Sequence, residues 1–218
     1  MTGRSPHEDR VEDRVASRAV VGRNTVHDGR IFDLVRDDVD LGEAGIVTRE
    51  YLDHPGAVAV VVLDGDERVL LLRQYRHPVR AEMWEIPAGL LDVDGEPAVE
   101  AAVRELAEEA DLAAGRWDVL VDFATTPGAS NEALRVFLAR DVREVPHADR
   151  HTRTGEESEI VTRWVPLDEA VGRVLAGGLH NPSAVVGILA AAASRADGWT
   201  SLRPVEAPWP YRRGNLPA

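Results

Sequence analysis

Between Pro87 and Leu112 the sequence leaves its fold little choice. Val99, Ala102, Val103, Leu106 and Ala110 recur at spacings of three and four, the period of a helix with one apolar stripe. On that helix Glu105, Glu108 and Glu109 stand at i, i+3 and i+4, so three carboxylates share one face. Like charges at this spacing oppose each other by roughly 0.2–0.5 kcal/mol per pair. Arg104, four residues before Glu108, relieves part of the repulsion, and the remainder calls for another cation. Clustered oxygen ligands without His or Cys suit a hard ion, Mg²⁺ or Mn²⁺, of the kind shared with substrate phosphates. The plainer reading of three glutamates taken alone is a solvated acidic face.

Composition narrows the setting. The 218 residues make one ample domain, or one domain with an N-terminal extension. A hydrophobic content of 44% and a charged content of 29% are those of an ordinary soluble protein. No apolar run reaches membrane-helix length, and the polar stretch Met1–Arg18 is unlike a secretory signal, so the expectation is a cytoplasmic protein without a membrane partner. There is no cysteine, which removes disulfide and thiolate chemistry. A net charge of −13 argues against general nucleic-acid binding. All 25 basic residues are arginine, which removes lysine-based catalysis.

Taken in order, residues 1–15 lack periodicity and read as disordered. Residues 16–54 hold short β-like runs at 19–21, 30–35 and 45–51 separated by turn residues. They predict a small antiparallel sheet too thin to bury a core alone, to be covered by another domain or subunit. Ala57–Leu63 and Arg68–Arg73 are apolar runs around Asp64-Gly65-Asp66-Glu67, which predicts a buried hairpin. Strands are expected at Trp117–Phe123, Ala133–Val142 and Ile160–Val165, with helices at Asp168–Leu175 and from Asn181-Pro182 to Ala196. The segment 146–159 reads as a long polar loop carrying His147, His151, Glu156, Glu157 and Glu159, a length that points to function or mobility. The two histidines read as exposed, not as ligands. Residues 55–200 form the main domain, and 201–218 an extended C-terminal tail. Strands, a central helix, strands and a terminal helix imply α+β layers around one mixed sheet.

The stretch resembles the Nudix box, Gly-x5-Glu-x7-Arg-Glu-U-x-Glu-Glu-x-Gly-U, with U a bulky apolar residue. Gly89, Glu96, Arg104, Glu105, Leu106, Glu108, Glu109 and Leu112 fit in order. Six residues, not five, separate Gly89 from Glu96, and Asp111 stands where the box has glycine. That glycine relaxes the helix end in a left-handed turn, a region Asp tolerates better than most residues, so Asp111→Gly is expected to be neutral or stabilising. The resemblance implies an α/β fold, a Nudix-type α/β/α sandwich with a mixed sheet, preceded here by the small N-terminal antiparallel β-sheet domain.

Further segments are similar to the ADP-ribose pyrophosphatase branch of that family: Arg73-Gln74-Tyr75-Arg76, Glu85–Gly89, Thr126-Pro127-Gly128 through Glu132, and Glu156–Ile160. The likeness implies Mg²⁺-dependent hydrolysis of ADP-ribose or a related ADP-sugar to AMP and ribose 5-phosphate. It implies a homodimer whose N-terminal sheets exchange. By the same likeness, Ala88 supplies a carbonyl and Glu105, Glu108 and Glu109 carboxylates to the metal, Arg104 orients the acidic cluster, and Glu96 supports it. The proton-accepting base falls at Glu157, with Glu156 the alternative register. Arg49 and Arg76 are candidates for phosphate or ribose, because a guanidinium fork fits phosphate. Tyr75 is a candidate for stacking on adenine, Glu132 for the terminal ribose, and Gly128 for substrate contact. Phe32 reads better as core. Another nucleotide-sugar, an oxidised nucleotide, or a non-catalytic ligand sensor are the competing readings.

Overall fold

In a computed structural model, the described residues are 11–153 and 155–216; the side chains of Glu156 and Glu157, and residues 1–10 within the expected disordered stretch, lie outside them. Residues 11–18 carry no regular structure and are exposed.

The first three strands, β1 (Ala19–His27), β2 (Asp33–Asp40) and β3 (Ile46–Asp53), form an antiparallel sheet in the order β1-β2-β3. Of these strands only Val35 and Asp37 are buried, while Val20, Val21, Val26 and Ile46 stand exposed. The sheet is tied to the rest of the chain through the end of β3. The Leu52 N–H donates to the Ala129 carbonyl at 2.9 Å, and Asn131 Oδ1 accepts from the His54 N–H at 2.7 Å.

The remaining strands are β4 (Ala57–Val62), β5 (Arg68–Arg76), β6 (Ala81–Glu85), β7 (Ala88–Leu90), β8 (Leu112–Ala124), β9 (Ala133–Glu144) and β10 (Val161–Pro166). They make two sheets, β7-β4-β9-β8, with β4 parallel to β9, and β10-β5-β6, which is antiparallel. The helices are α1 (Ala98–Ala110), α2 (Leu167–Leu175) and α3 (Pro182–Ala196). The expected hairpin is corrected here. The chain does reverse at Asp64–Glu67, with a bridge between Leu63 and Val69. Beyond that bridge β4 and β5 part into different sheets. A run buried on both faces does not encode which strand lies beside it.

Alternation along β4 splits the core. Val58, Val60 and Val62 pack with Ala101, Ala102 and Leu106 of α1. Ala57, Ala59 and Val61 face Ala184, Ile188 and Ala191 of α3. Sheet between helices is the α/β/α arrangement. Gly187 lets α3 approach: a Cβ there would stand 2.8 Å from a Val61 methyl. Asn181 caps α3 by accepting the Ala184 N–H at 3.0 Å, with Pro182 in its first turn. The segment after α3 folds back on the domain. Trp209 is buried there, and Arg135 donates to the Ala207 and Pro208 carbonyls.

Candidate active site

Helix α1 buries Ala101, Ala102 and Leu106, which fixes its roll; the expected stripe is corrected here, since Val103 stands 41% exposed and Ala101 is buried beside Ala102. The carboxylates are thereby set against the turn that opens β7. Glu109 Oε2 accepts the Ala88 N–H at 2.9 Å. Glu105 lies so close to Gly89 that a Cβ on that residue would stand 2.0 Å from Oε1. The box glycine therefore leaves room for a carboxylate.

Arg104 spans the cluster. Its Nε and Nη2 donate to the two oxygens of Glu96, each at 3.1 Å. Its Nη1 donates to Glu105 Oε1 at 2.6 Å and to Glu108 Oε2 at 3.3 Å. The hydrogen bond to Glu96, then the Glu105 charge, hold the guanidinium proton more tightly than usual. Glu109 shows the opposite stress. Burial, with the Glu105 charge adding to it, pushes its carboxyl up to about 8, against the pull of the Ala88 N–H. A cation coming close would favour the charged form of a group in that setting.

Among the described residues, no three acidic or histidine side chains already stand together as a metal-binding set; Glu105 and Glu108 are engaged by Arg104 instead. The donor chemistry still fits a hard divalent ion. It is all oxygen, it includes a partly buried carboxyl whose charged form a cation would stabilise, and it sits on a glycine whose missing side chain makes the space.

The other expected residues fall in several places. Arg76 grips Glu85 with two bonds, Nε to Oε1 at 2.8 Å and Nη2 to Oε2 at 2.6 Å. Both charges act on Glu109, so this pair borders the carboxylates. Arg49 and Gly128 line a separate groove between β3 and the 127–131 loop, with Asp37 and Tyr51. Glu132 accepts from the Thr125 hydroxyl at 2.6 Å and stands 3.7 Å from His54 Nδ1. Tyr75 is half exposed at the end of β5, its ring edge-on to His77. Phe32, read as a core residue, is 41% exposed and stacks on His54 instead, in the turn just before β2. The expected base, Glu157 or Glu156, lies outside the described side chains; its backbone belongs to a short 3-10 turn, Gly155–Glu159.

Two features were not anticipated. Glu85 is buried, and its signal was a carboxylate between Trp84 and Ile86, which demands a partner once buried. In the N-terminal sheet Tyr51 donates to Asp37 Oδ2 at 3.0 Å and accepts from Arg23 at 2.7 Å. Burial, and then the bond to Asp37, push its hydroxyl up to about 12.

Residues 53–184 match the NUDIX domain family. The chain is 44% identical over 189 residues to an ADP-ribose pyrophosphatase of Mycobacterium tuberculosis, covering 87% of this chain and 89% of that protein. An ADP-ribose pyrophosphatase of Bacillus subtilis is 34% identical over 151 residues, 69% of this chain and 80% of that one. Among solved structures, an ADP compounds hydrolase superposes with a TM-score of 0.66 at 21% identity, over 86% of this chain and 99% of that chain. The matched region takes in the carboxylate helix, the turn that carries it and both sheets of the sandwich, and by these matches the chain belongs to the Nudix family.

Proposed function

We propose that this Nudix hydrolase cleaves the pyrophosphate of ADP-ribose, or of a related ADP-sugar, to AMP and ribose 5-phosphate. The observation that carries the reading is the partly buried Glu109 carboxyl beside Glu105 on the Ala88-Gly89 turn, a site that a divalent cation would complete. Mg²⁺ is the expected ion and Mn²⁺ the substitute, held by Glu105, Glu108, Glu109 and the Ala88 carbonyl. When bound, the ion supplies charge neutralisation at the pyrophosphate and makes a water more acidic.

The chain's own residues do the rest. Arg104 keeps Glu105 and Glu108 oriented through its bonds to both and to Glu96. Arg76, already beside the carboxylates, offers a guanidinium to a phosphate once Glu85 shares it. Glu157, or Glu156 one residue earlier, takes the proton from the attacking water, because the helix carboxylates are committed to the cation. Arg49 and Gly128, which share a groove, and Glu132 and Tyr75 contact the nucleoside or the terminal ribose.

The enzyme works as a homodimer in this proposal, with the N-terminal sheets exchanged, and stays in the cytoplasm. The exposed Val20, Val21, Val26 and Ile46 of a thin sheet support the dimer. Among the described residues no helix is long and apolar enough to cross a membrane. The test is product release from a panel of nucleotide-sugars and oxidised nucleotides, with and without Mg²⁺. ADP-ribose should be the best substrate, with turnover lost on chelation. Cleavage of another panel member at higher kcat/KM would move the substrate class, and no cleavage at all would favour a sensor.

A further inference from the structure

Asp111 departs from the box glycine, and the structure gives its side chain work that glycine cannot do. It ends α1 in the left-handed region, at φ 55° and ψ 34°. Its carbonyl accepts the Val145 N–H at 2.8 Å, where the connection from β9 to β10 begins. Its Oδ2 accepts from Arg153 Nη2 at 2.6 Å, near the other end of that connection. Arg153 Nε donates at 2.9 Å to the Glu108 carbonyl, one of the last carbonyls of α1, where a cation is favoured. One residue thus holds a long segment at two points, and the arginine engages both its carboxylate and the backbone of the glutamate pair.

The register says where the held segment leads. Val161 opposes Arg73 in the antiparallel pairing of β10 with β5. The Gly155–Glu159 turn just before it lies beside β5, toward the end that carries Arg76 and its partner Glu85.

We propose that Asp111 and Arg153 form a latch, a pair of positioning residues that sets the 145–159 connection against the C-terminal end of the carboxylate helix and so delivers the Gly155–Glu159 turn to the reacting phosphates. The catalytic part of this inference rests on the proposed hydrolysis. The latch does not touch substrate, so its loss should leave binding and lower turnover. A misplacement of about 1 Å is enough to cost about 10²-fold in rate.

The test uses the full chain with Arg153→Ala, Asp111→Gly and their combination. Asp111→Gly keeps the left-handed helix end and removes only the carboxylate. Arg153→Lys, which keeps a charge but cannot fork to two acceptors, serves if the alanine variant is poorly folded. Two readouts are taken. Amide exchange of 145–153 should rise at least about tenfold in either single variant, which depends on no activity. For ADP-ribose at saturating Mg²⁺, kcat should fall about 10- to 100-fold while KM stays within about threefold. The double variant should be no worse than the poorer single one, as for two ends of one contact. Unchanged exchange overturns the latch. Raised exchange with wild-type kcat, or losses that multiply in the double variant, overturns the positioning role. A wild-type chain that cleaves nothing in the panel overturns the functional reading instead, and exchange still decides the latch.

Discussion

Gly89→Ala separates the fold from the chemistry. The added Cβ would fall 2.0 Å from Glu105 Cδ and Oε1 and 2.5 Å from Cγ, where carbon contacts normally settle near 3.5–4.0 Å. The Glu105 carboxyl must retreat by about 1.5 Å or more. It then loses the 2.6 Å bond from Arg104, a charge-assisted contact worth about 1.5–3 kcal/mol. Two things limit the cost. The displaced atoms are the far end of a flexible side chain, and the backbone at Gly89 is not in the left-handed region, so alanine gains about 0.4–1 kcal/mol by restricting the unfolded chain. A net loss of about 1–2 kcal/mol follows, or a fall in Tm of about 2–8 °C for a chain this long. Activity should suffer far more, because a carboxylate assigned to the cation has moved by more than an ångström; a fall in kcat of about 10²-fold or greater is expected. Differential scanning fluorimetry and ADP-ribose turnover across a Mg²⁺ titration measure both. Turnover within threefold of wild type would show that Glu105 need not sit on Gly89. A collapse in Tm beyond about 15 °C would show that the strand pairing, not the carboxylate, sets the need for glycine.

Without divalent ions, Glu109 is protonated more readily folded than unfolded, so its contribution to stability is present below its ordinary value of 4.5 and is lost as pH rises toward about 8. That gap, at about 1.36 kcal/mol per pH unit, bounds the loss at about 5 kcal/mol; urea melts in chelator should show stability falling across this window, and Glu109→Gln should flatten the fall. Glu157→Gln should lose about 10²–10⁴-fold in kcat with KM nearly unchanged, and if Glu156→Gln shows that loss instead, the register is one residue earlier. Arg135 is 3% exposed, pairs with Asp122 at 2.7 Å, donates to the Ala207 and Pro208 carbonyls and stacks on Trp209; Asp122 keeps Arg203 at 2.9 Å, so Arg135→Met should cost about 1.5–3 kcal/mol, chiefly by freeing the C-terminal segment, and a midpoint shift below about 1 kcal/mol in urea would contradict this. Light scattering should return about twice the 23.8 kDa chain mass, and a fully active monomer would remove the dimer from the account.

Local regularity made much of this chain legible before any coordinates. The three-and-four spacing of Val99, Ala102, Val103, Leu106 and Ala110 carries α1 within a residue of its ends, because a helix is closed by bonds among near neighbours, although Val103 turns out to face solvent. The same holds for the Asn181-Pro182 start of α3. The order of Gly89, Glu96, Arg104, Glu105, Glu108 and Glu109 implied the acidic cluster, and the left-handed end at Asp111 followed from the box. What the sequence withheld depends on partners far along the chain. The apolar runs of β4 and β5 look alike, yet packing sent them to different sheets, since backbone hydrogen bonds carry no record of side-chain identity. Glu85 found Arg76 nine residues away, across an antiparallel register. The Asp111 carboxylate, expected to matter little, took Arg153 from 42 residues on. The setting of Glu109 likewise belongs to the tertiary structure: spacing put the carboxyl on a face, but its packing against the Ala88 turn, 21 residues away, is what disfavours its charge.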